Sequence, residues 1–363
     1  MAYDSKVPYN DLPDLALADF VESPDILRNL AKASRYLGEL NGLCASLPDP
    51  QLLVNTIVLQ ESKDSSAIEN IVTTQDELYR AASGDGTASH AAKEVLSYRE
   101  ALYTGLEKMN THQNLLMTNT MIAIVQTIQQ NKAGIRDTPG TALKNVITGD
   151  VTYTPPCCKD VILEKMAALE QFINYPNSSS LDPLIKMALI HYQFESIHPF
   201  ADGNGRTGRI LNALYLVQQQ MLSQPVLYLS SYLVKYKTEY YKLLRGVTEQ
   251  NNWRDWIMYI LTALAETAQL TTRKIRSVLL LKEDYEKQLK KTLGASYNYD
   301  LLQLMFTIPY LKIDLVERQK IAHRQTASSW LIKLATAEIL KPHKIGRTTY
   351  YINYRLMEIL SSD

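Results

Sequence analysis

His198-Pro199-Phe200-Ala201-Asp202-Gly203-Asn204-Gly205-Arg206-Thr207-Gly208-Arg209 gathers a potential base, a carboxylate, three glycines, an asparagine and two arginines into twelve positions. Apolar residues at helical spacing flank it. Leu184, Met187, Ala188, Ile190 and Tyr192 predict a helix over 181–197, and a second helix is expected from Arg206 to about Gln220. The stretch is therefore a loop between two core helices. Amides around Gly203-Asn204-Gly205, just ahead of a helix, can form an anion nest reinforced by the helix dipole. Glycine lets the backbone approach a phosphate closely. Arg206 and Arg209, three apart on the first turn, can reach one polyphosphate, and Asp202 offers a hard oxygen to a Mg²⁺ that bridges phosphates. His198 can take a proton from an incoming hydroxyl. These are the parts for phosphoryl or nucleotidyl transfer.

Each part has a plainer reading by itself: a histidine before proline as a loop residue, a glycine-rich turn as only a turn. A calcium loop is excluded because the acidic spacing and terminal Glu of an EF-hand are missing. The joint pattern is what carries information. It resembles the signature of the Fic family, His-x-Phe-x-Asp/Glu-Gly-Asn-Gly-Arg-x-x-Arg, with all eight defined positions filled by His198, Phe200, Asp202, Gly203, Asn204, Gly205, Arg206 and Arg209. The segments 227–232 and 239–244 also resemble the family's downstream helices, and the N-terminal region resembles the part that precedes its core.

The resemblance implies a mainly α fold: a Fic-type helical core over 91–290 with a small β-hairpin flap, preceded by an N-terminal helical region (1–90). It implies AMPylation, the passage of AMP from ATP to a Ser, Thr or Tyr hydroxyl of a protein. In that reading His198 is the general base and Asp202 the Mg²⁺ ligand. Asn204 and the amides of Gly203 and Gly205 hold the α-phosphate, while Arg206 and Arg209 bind the β- and γ-phosphates. Phe200 anchors the loop and Gly208 allows close helix packing. The family's kinase-like branch has Lys where this chain has Gly205, so AMP transfer is favoured.

Upstream, Ser65-Ser66-Ala67-Ile68-Glu69-Asn70 resembles the family's inhibitory motif, Ser/Thr-x-x-x-Glu-Gly/Asn. The pattern is loose, but it lies on a predicted helix from about Gln51 to Ile71, where Ser65 and Glu69 share a face. The resemblance implies a brake made of Ser65, Glu69 and Asn70, with Glu69 pairing bidentately with Arg209 in the ATP site.

Farther out, helices are expected over 23–45, 90–108, 115–130, 232–244 and 253–289. Gly134, Pro139, Gly140 and Gly149 punctuate Val146-Ile147 and Val151-Thr152-Tyr153-Thr154, which reads as the flap hairpin. The pattern breaks near 293–298. Beyond it, the helix-forming 325–331 segment and two short strands about a turn at 344–352 suggest a winged-helix domain over 295–363. Arg324, Lys333, Lys344 and Arg347 make DNA contact conceivable there, so a DNA-binding regulator with a nucleotide-sensing core is the alternative function.

Lys+Arg 38 balances Asp+Glu 38, so no net field draws nucleic acid or an anionic membrane and any basic surface is local. The three cysteines, Cys44, Cys157 and Cys158, are too few for a disulfide framework and read as reduced thiols. The acidic, proline-bearing start lacks signal-peptide character, and no apolar run reaches a membrane span, so a cytoplasmic protein is expected. Expected partners are ATP, a target protein hydroxyl that includes its own, and a second copy in a homodimer.

Overall fold

The structure is a computed structural model that describes all residues except 1–2, 16–22, 47–49, 85–88, 139, 145–147, 176–179 and 363, with the backbone alone at 50–55. Its helices and strands run in the order α1 (Pro24–Ala45), α2 (Pro50–Ile68), α3 (Gln75–Ala82), α4 (His90–Thr111), α5 (Thr118–Gln129), β1 (Leu143–Lys144) and β2 (Val151–Tyr153). Next come α6 (Lys159–Asn174), α7 (Pro183–Ile197), α8 (Asn204–Gln218), α9 (Ser230–Lys235), α10 (Lys237–Gln250) and α11 (Trp253–Leu293). The C-terminal part holds α12 (Tyr299–Thr307), β3 (Tyr310–Leu311), α13 (Ile313–Arg318), α14 (Arg324–Thr336), β4 (Lys341–Ile345), β5 (Thr348–Ile352) and α15 (Tyr354–Ser361).

Helix α7 is the centre of the core. Asp182 caps it through Leu184 N–H, Pro183 opens its first turn, and nearly every residue from Leu184 to Ile197 is buried. A helix buried on nearly every side packs on nearly every side, here against α1, α6, α8 and α11, with Lys186, His191, Gln193 and Ser196 buried among its apolar residues. Each buried Leu, Ile or Phe contributes about 1.5–3 kcal/mol, so the helix that carries the loop is firmly held. Gly105 of α4 permits a second close approach. A Cβ there would lie 2.7 Å from Leu214 Cδ1 of α8 and 2.8 Å from Ile124 Cδ1 of α5. Gly105→Ala gains about 1 kcal/mol of helix propensity but overpacks at a cost of about 1–3 kcal/mol, so a lowered urea midpoint is expected.

Several boundaries differ from the periodic reading. Helix α2 stops at Ile68, because Asn70 takes a left-handed φ of 63° and Ile71 N–H donates to Ser66 O at 3.0 Å, with Asn70 N–H on Ala67 O. That is a Schellman end, for which asparagine is second to glycine. The expected 232–244 helix is two, α9 and α10, broken at Tyr236, whose ring packs 4.5 Å from Tyr232. Helix α6 escaped the reading although Ile162, Met166, Leu169 and Ile173 recur at helical spacing and are buried.

The flap hairpin is present in outline. β1 and β2 pair antiparallel with Leu143 opposite Tyr153, and Val146 and Ile147 lie outside the described residues. In the C-terminal part, α13 and α14 precede the β4–β5 hairpin, which turns at Gly346 (φ 56°), and the sheet order is β3-β5-β4. The two-residue β3 is too short to show a period in sequence. Helix α11 runs through both parts: Trp256 Nε1 donates to Ala188 O of α7, while Lys274 Nζ reaches Leu360 O and Tyr285 Oη reaches Ile339 O. No helix among the described residues is long and apolar enough to cross a membrane.

Candidate active site

The loop begins where α7 ends, at His198, which holds a left-handed φ of 50° and donates its N–H to Phe194 O at 3.0 Å. Pro199 prevents the helix from continuing. Phe200 is fully buried beside Phe194 and anchors the turn. Asn204 closes it: its Oδ1 accepts from Phe200 N–H at 2.9 Å and its Nδ2 donates to Phe200 O at 2.8 Å. Its side chain is thus spent on the loop, and the anion-facing groups at this position are the backbone amides. Arg136 fastens the loop from outside, with Nε on His198 O at 2.7 Å and its own N–H on Pro199 O at 2.9 Å.

The His198 ring places Nδ1 3.3 Å from Glu195 O. A carbonyl only accepts, so Nδ1 carries the proton and Nε2 keeps its lone pair for an incoming hydroxyl. Burial pushes the imidazole down to about 4, with Arg136 adding to the effect, so it is neutral at pH 7.

Gly203 is the cap of α8 at φ 85°, where a Cβ would press on Val125 Cγ2 at 3.0 Å. The first helical bond runs from Thr207 N–H to Gly203 O, so the amides of Asn204, Gly205 and Arg206 precede it and face the anion position. Asp202, 72% exposed, accepts from Gln129 Nε2 at 2.9 Å and from Gly203 N–H at 2.6 Å. Arg206 is buried against Glu94 Oε2 at 3.1 Å, with Asp202 Oδ2 at 3.7 Å. Its buried Nε has no partner among the described residues.

Arg209 is buried and held by the end of α2. Its Nε donates to Ser65 Oγ at 2.7 Å, and one Nη2 serves both Ser65 O and Glu69 Oε1 at 2.9 Å. The expected bidentate pairing is corrected: Glu69 uses one oxygen and Ser65 supplies the rest, because Glu69 lies beyond the last helical residue and approaches from the side. Burial opposes the charge of Arg209, but Glu69, Tyr240, Glu195 and Tyr98 together outweigh it and hold the guanidinium above its usual range. Glu69 Oε1 also stands directly over Gly205, where an added Cβ would collide with it. Beside them, burial pushes the Glu195 carboxyl up to about 8, and its Oε1 lies where a Cβ on Gly208 would sit 2.5 Å away.

With this geometry in view, the comparisons are concordant. Residues 27–107 match the Fic/DOC family N-terminal description, 111–216 the Fic/DOC family, and 281–356 the C-terminal domain of protein adenylyltransferase SoFic-like. The chain belongs to the Fic/DOC family. Curated relatives include protein adenylyltransferase fic-1 of Caenorhabditis briggsae, 31% identical over 105 residues, which is 29% of this chain and 19% of that one. Protein adenylyltransferase Fic of Drosophila melanogaster is 46% identical over 59 residues, 16% of this chain and 12% of that one. The matched stretch thus spans a fifth or less of these relatives. A Fic family protein from Desulfovibrio desulfuricans G20 shares the fold over 92% of this chain and 97% of its own, with TM-score 0.57 and 20% identity. Fic-1 of C. elegans does so over 68% and 70%, with TM-score 0.53 and 19% identity.

The Fic core brings His198, Asp202, Gly203, Gly205, Arg206, Arg209, Ser65 and Glu69 into one site, while Asn70 shapes the end of α2 and meets Lys237 Nζ at 3.0 Å. Sequence reasoning missed Glu94, Gln129 and Arg136, which hold Arg206, Asp202 and His198. None carries a local signature. Tyr240 is buried with its hydroxyl 2.9 Å from His191 Nε2, a packing pair beneath the site.

Proposed function

We propose that this chain is a protein adenylyltransferase, passing AMP from ATP to a protein hydroxyl and restrained by Glu69. The observation that carries the reading is Glu69 itself: a carboxylate pressed against Gly205 in the anion loop and bonded to Arg209 occupies a place suited to phosphate charge. The relatives named protein adenylyltransferase point the same way. With Glu69 withdrawn, the amides of Asn204, Gly205 and Arg206 at the start of α8 hold the α-phosphate, and the Arg206 and Arg209 guanidiniums hold the β- and γ-phosphates. The unpartnered Arg206 Nε is a donor awaiting such an acceptor. The target hydroxyl oxygen attacks the α-phosphorus, its proton passes to His198 Nε2, and the bond to the β-phosphate breaks to release pyrophosphate. The β1–β2 flap lays an extended target segment beside the site by strand addition.

Mg²⁺ fits the donors present. Asp202 is an exposed hard carboxylate beside the loop amides, which suits an ion bound by one carboxylate plus substrate phosphates. Bound there, it would neutralise phosphate charge.

Incubation with α-labelled and γ-labelled ATP tests the reading. Label on protein from α-labelled ATP alone is expected. Label from γ-labelled ATP would make the chain a kinase, and none from either would leave only nucleotide binding.

A further inference from the structure

Pro156-Cys157-Cys158 links the flap to α6, and it joins three parts of the molecule. Arg136, whose Nε holds His198 O, donates through Nη2 to Pro156 O at 2.5 Å and to Ile197 O at 3.4 Å. Asn10 holds the next residue, accepting from Cys157 N–H at 2.8 Å and placing Nδ2 3.7 Å from Cys157 Sγ. Cys158 then caps α6, its carbonyl taking Ile162 N–H at 3.1 Å.

Neighbouring side chains normally diverge, on opposite faces of a strand or about 100° apart on a helix. Here Cys158 takes φ 70°, a value that disfavours any side chain, and the two sulfurs lie 3.5 Å apart. Cys158 is exposed and Cys157 partly so, while Cys44 is buried and cannot compete.

We infer that Cys157 and Cys158 form a vicinal dithiol that closes reversibly to a disulfide by exchange with low-molecular-weight disulfides, and that closure loosens the Arg136 hold on His198. In the first step the Cys158 thiolate attacks one sulfur of the small disulfide and expels a thiolate. In the second, Cys157 attacks Cys158 Sγ in the mixed disulfide and expels the other. Two electrons pass to the small disulfide, and the two cysteine protons end on its thiols. Adjacent Cα atoms are about 3.8 Å apart, below the roughly 4.4–6.8 Å of ordinary disulfides, so the ring is strained and easily reduced. Such a bond acts as a switch, not a staple. Closing it turns the Cys157–Cys158 peptide inside the ring, and the strain passes through Cys157 Cα to the Pro156 carbonyl that Arg136 grips.

The full chain is incubated at rising ratios of glutathione disulfide to glutathione, quenched in acid and digested. The peptide with both cysteines should lose two hydrogens and regain them with dithiothreitol. A peptide that stays unchanged, or only carries glutathione, overturns the site. Phenylarsine oxide, which condenses with two thiols and releases water, should be retained by the reduced wild type and lost from Cys157→Ser and Cys158→Ser alike. Retention by either single variant also overturns it. The effect on His198 rests on the AMP-transfer reading, whereas mass and arsenical capture do not. In a Glu69→Gly background, closure should slow transfer by about tenfold, as a small misplacement of a base can, and Cys157→Ser should be insensitive. Equal rates before and after closure would overturn the coupling and leave the dithiol standing.

Discussion

Glu69→Gly is expected to raise self-AMPylation by about 5- to 150-fold, the range that one to three kcal/mol of coupling between a brake and a ligand delivers. The substitution removes the oxygen over Gly205 and one of the three contacts on Arg209. It leaves Ser65 in place, so the arginine stays oriented while its Nη2 gains room for a γ-phosphate. Position 69 lies past the last residue of α2 and just before the left-handed Asn70, so glycine there costs the fold little. The measurement is incorporation of α-labelled AMP by matched amounts of wild type and variant. Equal rates would remove Glu69 as the brake.

His198→Ala in the Glu69→Gly background should cut transfer by about 10²–10⁴-fold, the usual contribution of a general base. ATP affinity should hardly change, because the phosphate donors are amides and arginines. Alanine tolerates φ 50° poorly, so His198→Asn, which accepts the left-handed backbone at low cost, is the companion variant and should be equally slow. The pH profile gives a further check. The imidazole sits near 4, so it is a neutral base from about pH 5 upward and loses that role only as pH falls toward 4. A rate that already declines through the ordinary histidine range, or retained transfer in both variants, would place the base elsewhere.

Periodicity serves well where apolar residues recur at helical spacing, as in α7 and α8, and poorly where texture changes. Helix α6 follows a strand-like stretch that masks the regular apolar spacing of its buried face. The break at Tyr236 depends on ring packing against Tyr232, which no single-chain period shows.

By itself the sequence determined the site's local chemistry: an imidazole at a helix end, a glycine that must take φ 85°, amides ahead of a helix, two arginines one turn apart. These depend on neighbours within a dozen residues, so they can be read directly. Asn70 belongs with them, since a helix end is a local matter. The tertiary structure decided who holds whom. It assigned Glu94 to Arg206, Gln129 to Asp202 and Arg136 to His198, turned the Asn204 amide inward to clasp Phe200, and made Ser65 the main partner of Arg209 with Glu69 contributing one oxygen. Except for the Asn204 clasp, these pairings join distant parts of the chain, and those of α2, α4 and α5 meet the site through packing against α8. Buried charge must be paired wherever a partner is available, and only the fold determines which partner is near.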